Sequence, residues 1–239
     1  MSSLIVPDTR IIIDPTTAGA GNALPTRRVE IVGVCGRFEI DSMVSETRAT
    51  HLLTFTNPGL PTEFAISGDR HHAIVAYDTR NPLQHGGASR FDIQEALQWV
   101  DALPEGSRLL VACEMGVSRS TALALAIMAA QEVKDGEEDQ AIVDGIDRAV
   151  DRLLALRSQA DPNPNVLFMA DRVMRGRMQG LLVDAWRTVQ ERAPALIGDS
   201  RLIGDSRLIG GRSKTFEAPS QAPRDRYRRM RGSVGRLKI

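Results

Sequence analysis

One stretch constrains the chain more than any other: Leu109 to Ala126, reading LLVACEMGVSRSTALALA. An apolar run from Leu109 to Ala112 stops at Cys113. A short loop follows, Glu114-Met115-Gly116-Val117-Ser118-Arg119, and Ser120 then opens a segment rich in Ala and Leu. The pattern predicts a strand, a tight loop and a helix. It places a cysteine at the strand end and an arginine six residues later.

That geometry suits a doubly charged phosphate. A tight loop entering a helix points several unpaired backbone N–H groups at one spot. The helix macrodipole adds about half a positive charge there. Arg119 offers a planar fork of donors for two phosphate oxygens. The same field favours thiolate over thiol at Cys113, so the loop can hold a phosphate and aim a nucleophile at its phosphorus. Gly116 permits close backbone approach or an unusual dihedral. The Ser120 hydroxyl stands where it can bond the sulfur.

Cys-x5-Arg-Ser with glycine at the third loop position resembles the signature of the cysteine-dependent protein tyrosine and dual-specificity phosphatases. CEMGVSRST looks most like the dual-specificity and bacterial tyrosine-phosphatase branch. The chain's other cysteine, Cys35, has Asp41 six residues on and no such loop. The family usually has histidine just before the cysteine, where this chain has Ala112. The resemblance covers roughly Arg28 to Met178. It implies an α/β fold with a central, mostly parallel sheet flanked by helices.

Other segments fit an α/β domain. Arg28 to Val34 predicts a first strand, Ile40 to Arg48 a short helix and Leu52 to Thr56 a second strand ending at the Asn57-Pro58-Gly59 turn. Asp69 to Tyr77 predicts a third strand, on which His71 and His72 face opposite sides. A long polar connection from Asp78 through Gly86-Gly87-Ala88 comes next. Such a loop in a compact domain is often functional. Asp78 lies 35 positions before Cys113, about where the resembled family carries its general acid on a mobile loop. Asp92 is the rival carboxyl, but it opens the next helix, where a negative charge is favourable in its own right.

Phe91 to Leu103 sets Ile93, Ala96, Leu97, Val100 and Leu103 on one helical stripe, with Trp99 at its edge. Beyond the cysteine loop, Thr121 to Val133 reads as a buried helix, and Gln140 to Leu156 as an amphipathic one. Asp161-Pro162-Asn163-Pro164-Asn165 is a break and a cap, Val166 to Met174 a short helix, and Met178 to Arg192 a further amphipathic one. Three domain-level parts result: an extension over 1–27, a phosphatase-like domain over 28–193, and a linker and tail over 194–239. The last part holds LIGDSR from Leu196, LIGDSR from Leu202 and LIGGR from Leu208, a repeat too short for a solenoid.

Charge divides the same way. From Arg201 onward there are 11 Lys/Arg against 3 Asp/Glu, although the whole chain carries a net charge of +0. An acidic body thus bears a basic tail, a possible site for an anionic partner. No apolar run approaches the ~18 residues of a membrane span, and the N-terminus lacks the features of a signal peptide. Two cysteines give no disulfide framework, and a thiol nucleophile needs a reducing compartment, so cytoplasm is expected. The four histidines, His51, His71, His72 and His85, lack ligand spacing, so no metal is expected. The loop lacks the Gly-Lys-Ser/Thr ending of a nucleotide-binding loop.

The resemblance implies Cys113 as nucleophile, Arg119 as phosphate clamp, Asp78 as acid, Ser120 as helper of the leaving thiolate, and no cofactor. The backbone of Glu114, Met115, Gly116, Val117, Ser118 and Arg119 would bind the phosphate. The substrate would be a phosphorylated protein, phosphotyrosine foremost. The alternatives are an inactive module that binds phosphorylated partners, an enzyme acting on a phosphoinositide or nucleotide phosphate, and a nucleic-acid role through the tail.

Overall fold

The strand–helix alternation is realised as an α/β fold in a computed structural model, which describes residues 29–81, 84–133, 139–174 and 180–193. The 1–27 extension, the LIGDSR repeats and the basic tail lie outside the described residues. Strands β1 (Val29–Gly36), β2 (His51–Thr56), β3 (His71–Val75) and β4 (Ser107–Cys113) form one sheet. Its order is β1-β4-β2-β3, and every pairing is parallel. The described helices are α1 (Ile40–Thr47), α2 (Arg90–Asp101), α3 (Arg119–Glu132), α4 (Asp139–Leu156), α5 (Pro164–Val173) and α6 (Leu181–Arg192). None is long and apolar enough to cross a membrane.

The continuous apolar run of β4 reflects its place between two neighbours, with both faces covered. Leu109, Val111 and Cys113 face the large core shared with α2 to α6, whereas Leu110 and Ala112 face a smaller core under α1. Cys35 belongs to that smaller core, so the two cysteines point to opposite faces of the sheet. Helix α3 is buried along its whole length, touching the sheet, α4, α5 and α6. That is why its sequence is apolar on every side.

The boundaries differ from expectation at informative places. The third strand is shorter than Asp69 to Tyr77: Gly68–Arg70 form a 3-10 turn before it. Beyond it, Tyr77 leaves the sheet to bridge Gly87. That bridge closes the base of the loop that begins at Asp78. His71 and His72 do diverge: His71 Nε2 lies 2.9 Å from Thr54 Oγ1, while His72 stacks on Trp99 at 5.5 Å between centroids. Helix α3 starts at Arg119, so the arginine is its first residue.

Because all strands run the same way, their carboxyl ends share one edge. In open parallel sheets this edge is where ligands bind. Cys113 emerges there from the middle of the sheet, flanked by the segments that leave β1, β2 and β3.

Candidate active site

The loop after β4 folds back on its own cysteine. The Gly116 N–H donates to Cys113 Sγ at 3.2 Å, and the Ser120 hydroxyl donates to the same sulfur at 3.1 Å. Both bonds are buried, and both bring a donor to the sulfur. Ser118 is the N-cap of α3, so the sulfur lies at that helix's N-terminus, with Arg119 its first residue.

Gly116 is required twice over. Its φ of +69° lies in the left-handed region, and a Cβ there would stand 2.3 Å from both the Cys35 carbonyl carbon and the Gly36 nitrogen. The loop therefore rests on the end of β1 with no room for a side chain. Neighbouring contacts brace it. The Arg37 N–H donates to the Glu114 carbonyl at 3.2 Å, and Arg157 Nη2 donates to the Met115 carbonyl at 3.2 Å. Arg157 also pairs with Glu39 at 3.1 Å, and Glu39 accepts the Gly36 N–H at 2.6 Å.

Arg119 is 2% exposed. Its Nη1 donates to Asn57 Oδ1 at 2.9 Å and to the Ala76 carbonyl, so the ends of β2 and β3 hold the guanidinium from behind. Its Nε is buried without a hydrogen-bond partner, 3.8 Å from Asp78 Oδ2. A buried guanidinium met only by an amide, a carbonyl and a carboxylate beyond hydrogen-bond range still has capacity for an anion.

Asp78 lies beside this group. Its Oδ1 accepts from Ser118 Oγ at 2.9 Å and from Asn163 Nδ2 at 2.5 Å. Its side chain is 39% exposed, which leaves it open to a ligand. Asp92 is elsewhere occupied: it closes a capping box at the start of α2, accepting the Ser89 N–H at 2.7 Å. The Asp161 N–H donates to the Val117 carbonyl at 2.9 Å, and the Asn163 N–H donates to that of Ser118 at 3.1 Å. The Asp-Pro-Asn-Pro-Asn segment thus packs along the cysteine loop as well as breaking a helix.

The structure brings Cys113, Glu114, Met115, Gly116, Val117, Ser118, Arg119, Ser120 and Asp78 together, and leaves Asp92 apart at the start of α2. Sequence reasoning reads Asn57 only as part of a turn and Asn163 only as part of a cap, and it gives Arg157 no role. An asparagine before Pro-Gly, or between two prolines, carries local turn chemistry that hides any second duty. The second cysteine is not part of the cluster chemically: burial pushes the Cys35 thiol up to about 12. Among the described residues, no three His, Cys, Asp or Glu side chains form a group able to hold a metal.

No family model and no curated protein matches the chain. Solved structures do resemble it. One is the Yvh1 phosphatase domain from Chaetomium thermophilum, at 19% identity and a TM-score of 0.41, covering 59% of this chain and 91% of that one. Another is DUSP15, at 18% identity and a TM-score of 0.42, covering 71% and 94%. A third is PTPMT1 in complex with PI(5)P, at 15% identity and a TM-score of 0.38, covering 70% and 94%.

Proposed function

We propose that the chain is a phosphomonoester hydrolase of the cysteine-dependent protein tyrosine or dual-specificity type, with its site in the 28–193 domain. One observation carries this reading: a buried arginine whose Nε has no hydrogen-bond partner begins the same helix whose N-terminus faces a hydrogen-bonded cysteine sulfur. The phosphate oxygens lie against Arg119 and the backbone N–H groups of Glu114 to Arg119, where the equatorial charge of the transition state is met. Cys113 Sγ attacks phosphorus in line, and the ester oxygen leaves with a proton from Asp78. The cysteinyl-phosphate divides one hard step into two. Water then attacks phosphorus and gives a proton to Asp78, while the Ser120 hydroxyl stabilises the departing thiolate. Phosphorylated proteins are the proposed substrates, phosphotyrosine foremost, in the cytoplasm, with the basic charge of the 194–239 tail suited to an anionic partner.

The test is hydrolysis of an aryl phosphate against pH, by the native chain and by Cys113→Ser. A bell-shaped profile that vanishes in the variant, with phosphate binding retained, supports the reading. Turnover that survives in Cys113→Ser refutes it. A second reading, a phosphate-binding module with weak or no turnover, draws on Ala112. This residue is fully buried on the α1 face and supplies only a methyl group where the resembled family usually has histidine. Tight phosphate binding with no turnover from folded, reduced protein would favour it.

A further inference from the structure

Asn163 stands where three parts of the site meet. It is fully buried, and each of its polar groups is engaged. Its N–H donates to the Ser118 carbonyl, and its own carbonyl accepts the Leu167 N–H, both at 3.1 Å. Its Oδ1 accepts the N–H groups of Asn165 at 2.9 Å and Val166 at 3.1 Å, capping α5. Its Nδ2 donates to Asp78 Oδ1 at 2.5 Å and to the Thr79 carbonyl at 3.1 Å.

The cap accounts for only half of this side chain. Serine, threonine or aspartate would cap the helix as well. Of the good capping residues, only asparagine accepts with one end and offers two N–H donors with the other. The orientation of the amide is forced by its neighbours. Flipped, it would set its oxygen against a carboxylate and a carbonyl, and its NH2 against two N–H donors.

Resting on the reading of Asp78 as general acid, we infer that Asn163 is a positioning residue that decides which Asp78 oxygen carries the proton. Oδ1 already accepts two hydrogen bonds, from Asn163 and from Ser118. In the acid form the proton therefore goes to Oδ2, the oxygen on the Arg119 side, where the phosphate would lie. As the P–O bond breaks, its electron pair stays on the departing oxygen, and that oxygen takes the proton from Oδ2. The carboxylate left behind keeps two donors on Oδ1. Because Asn163 also bonds to Thr79 and Ser118, it fixes the start of the acid loop against the end of the cysteine loop.

The test compares kcat for phenyl phosphate, a poor leaving group, with kcat for 2,4-dinitrophenyl phosphate, a good one. Asn163→Ser keeps a capping oxygen but is too short to reach Asp78. It should lower kcat for phenyl phosphate by about 10-fold or more, the scale of one lost hydrogen bond to a charged group. The loss for the dinitrophenyl ester should be several-fold smaller, with KM little changed for either. Asn163→Asp keeps both size and cap but puts an acceptor against Oδ1. It should show the same selectivity, and it serves if the serine variant folds poorly. Equal losses for the two substrates, or none, overturn the inference. Asp78→Asn separates the two levels of reading. If its own losses are equal for both esters, the acid role falls and this inference with it. If they are selective while those of the Asn163 variants are not, this inference falls alone.

Discussion

Replacing Gly116 by alanine tests what holds the cysteine loop in shape. Two costs add. The residue sits at φ +69°, and a left-handed backbone costs a residue with a Cβ about 1–2 kcal/mol. The new carbon would lie 2.3 Å from two backbone atoms at the end of β1, which cannot swing aside as a side chain can. Relieving such an overlap costs about 1–3 kcal/mol. The sum is about 2–5 kcal/mol. Part of it is avoided if the loop lifts away from β1, but that breaks the Gly116 N–H bond to Cys113 Sγ. Alanine at Gly106 is the control. That glycine has φ +80° and nothing within 4 Å, so it bears the dihedral cost alone. Urea unfolding and aryl phosphate turnover should be measured for both variants. Gly106→Ala should lose about 1–2 kcal/mol of stability and keep native turnover. Gly116→Ala should lose more stability than that, or only the dihedral cost if the loop lifts, and turnover should fall at least 10-fold in either case. Equal stability losses with native turnover in both would show that the close approach to β1 does not shape the site.

Ser120→Ala removes the hydroxyl donor 3.1 Å from the sulfur. A bond to a charged group contributes about 1.5–3 kcal/mol, so thiolate departure should slow by about 10-fold or more. Rapid-quench assays should show a burst of product approaching one per site, and unchanged steady-state turnover without a burst would refute this role. Asp171 accepts the N–H groups of Gly180 at 2.8 Å and Leu182 at 3.3 Å, but burial pushes its carboxyl from 3.8 up to about 8. With the folded value above the unfolded one, the stability it contributes is full below pH 3.8 and lost as pH rises through about 8. The slope between is at most ~1.4 kcal/mol per pH unit. Asp171→Asn should flatten that fall, and urea midpoints running parallel for the two proteins from mildly acidic to mildly alkaline pH would contradict it. Alkylation of the folded protein at neutral pH should modify Cys113 and spare Cys35, whose thiol burial pushes up to about 12. Label on Cys35 before unfolding would overturn that distinction.

The sequence makes some of this legible and hides the rest for physical reasons. The cysteine loop can be read because its parts are consecutive: strand, glycine, arginine and helix lie within one short stretch. Asp92 can be set aside because it opens the next helix, where a negative charge is favourable in its own right, and the structure adds a capping box with Ser89. The apolar β4 announces a strand covered on both faces, yet not that it sits between β1 and β2 rather than beside β3. Strand order is decided by how helices cover the two faces, and local pattern does not encode it. Asn57 and Asn163 are hidden because their duties toward Arg119 and Asp78 span 62 and 85 positions. The end of the third strand is misleading because Tyr77, suited to a strand by its side chain, bonds instead to Gly86 across the base of the loop that begins at Asp78.

The order of strands has a consequence for when the protein becomes reactive. Cys113 is made after Asp78 and before Asn163, and its strand must insert between two that were synthesised earlier. The contacts of Asn163 to Asp78 and Ser118 therefore form only once the chain has passed the Asn163 turn. A shorter nascent chain would carry the thiol without the Asn163 bond to Asp78. Such long-range closure slows folding, and it ties the appearance of chemistry to the completion of the domain. A truncated product ending before Asn163 would lack its contacts to Asp78 and Ser118.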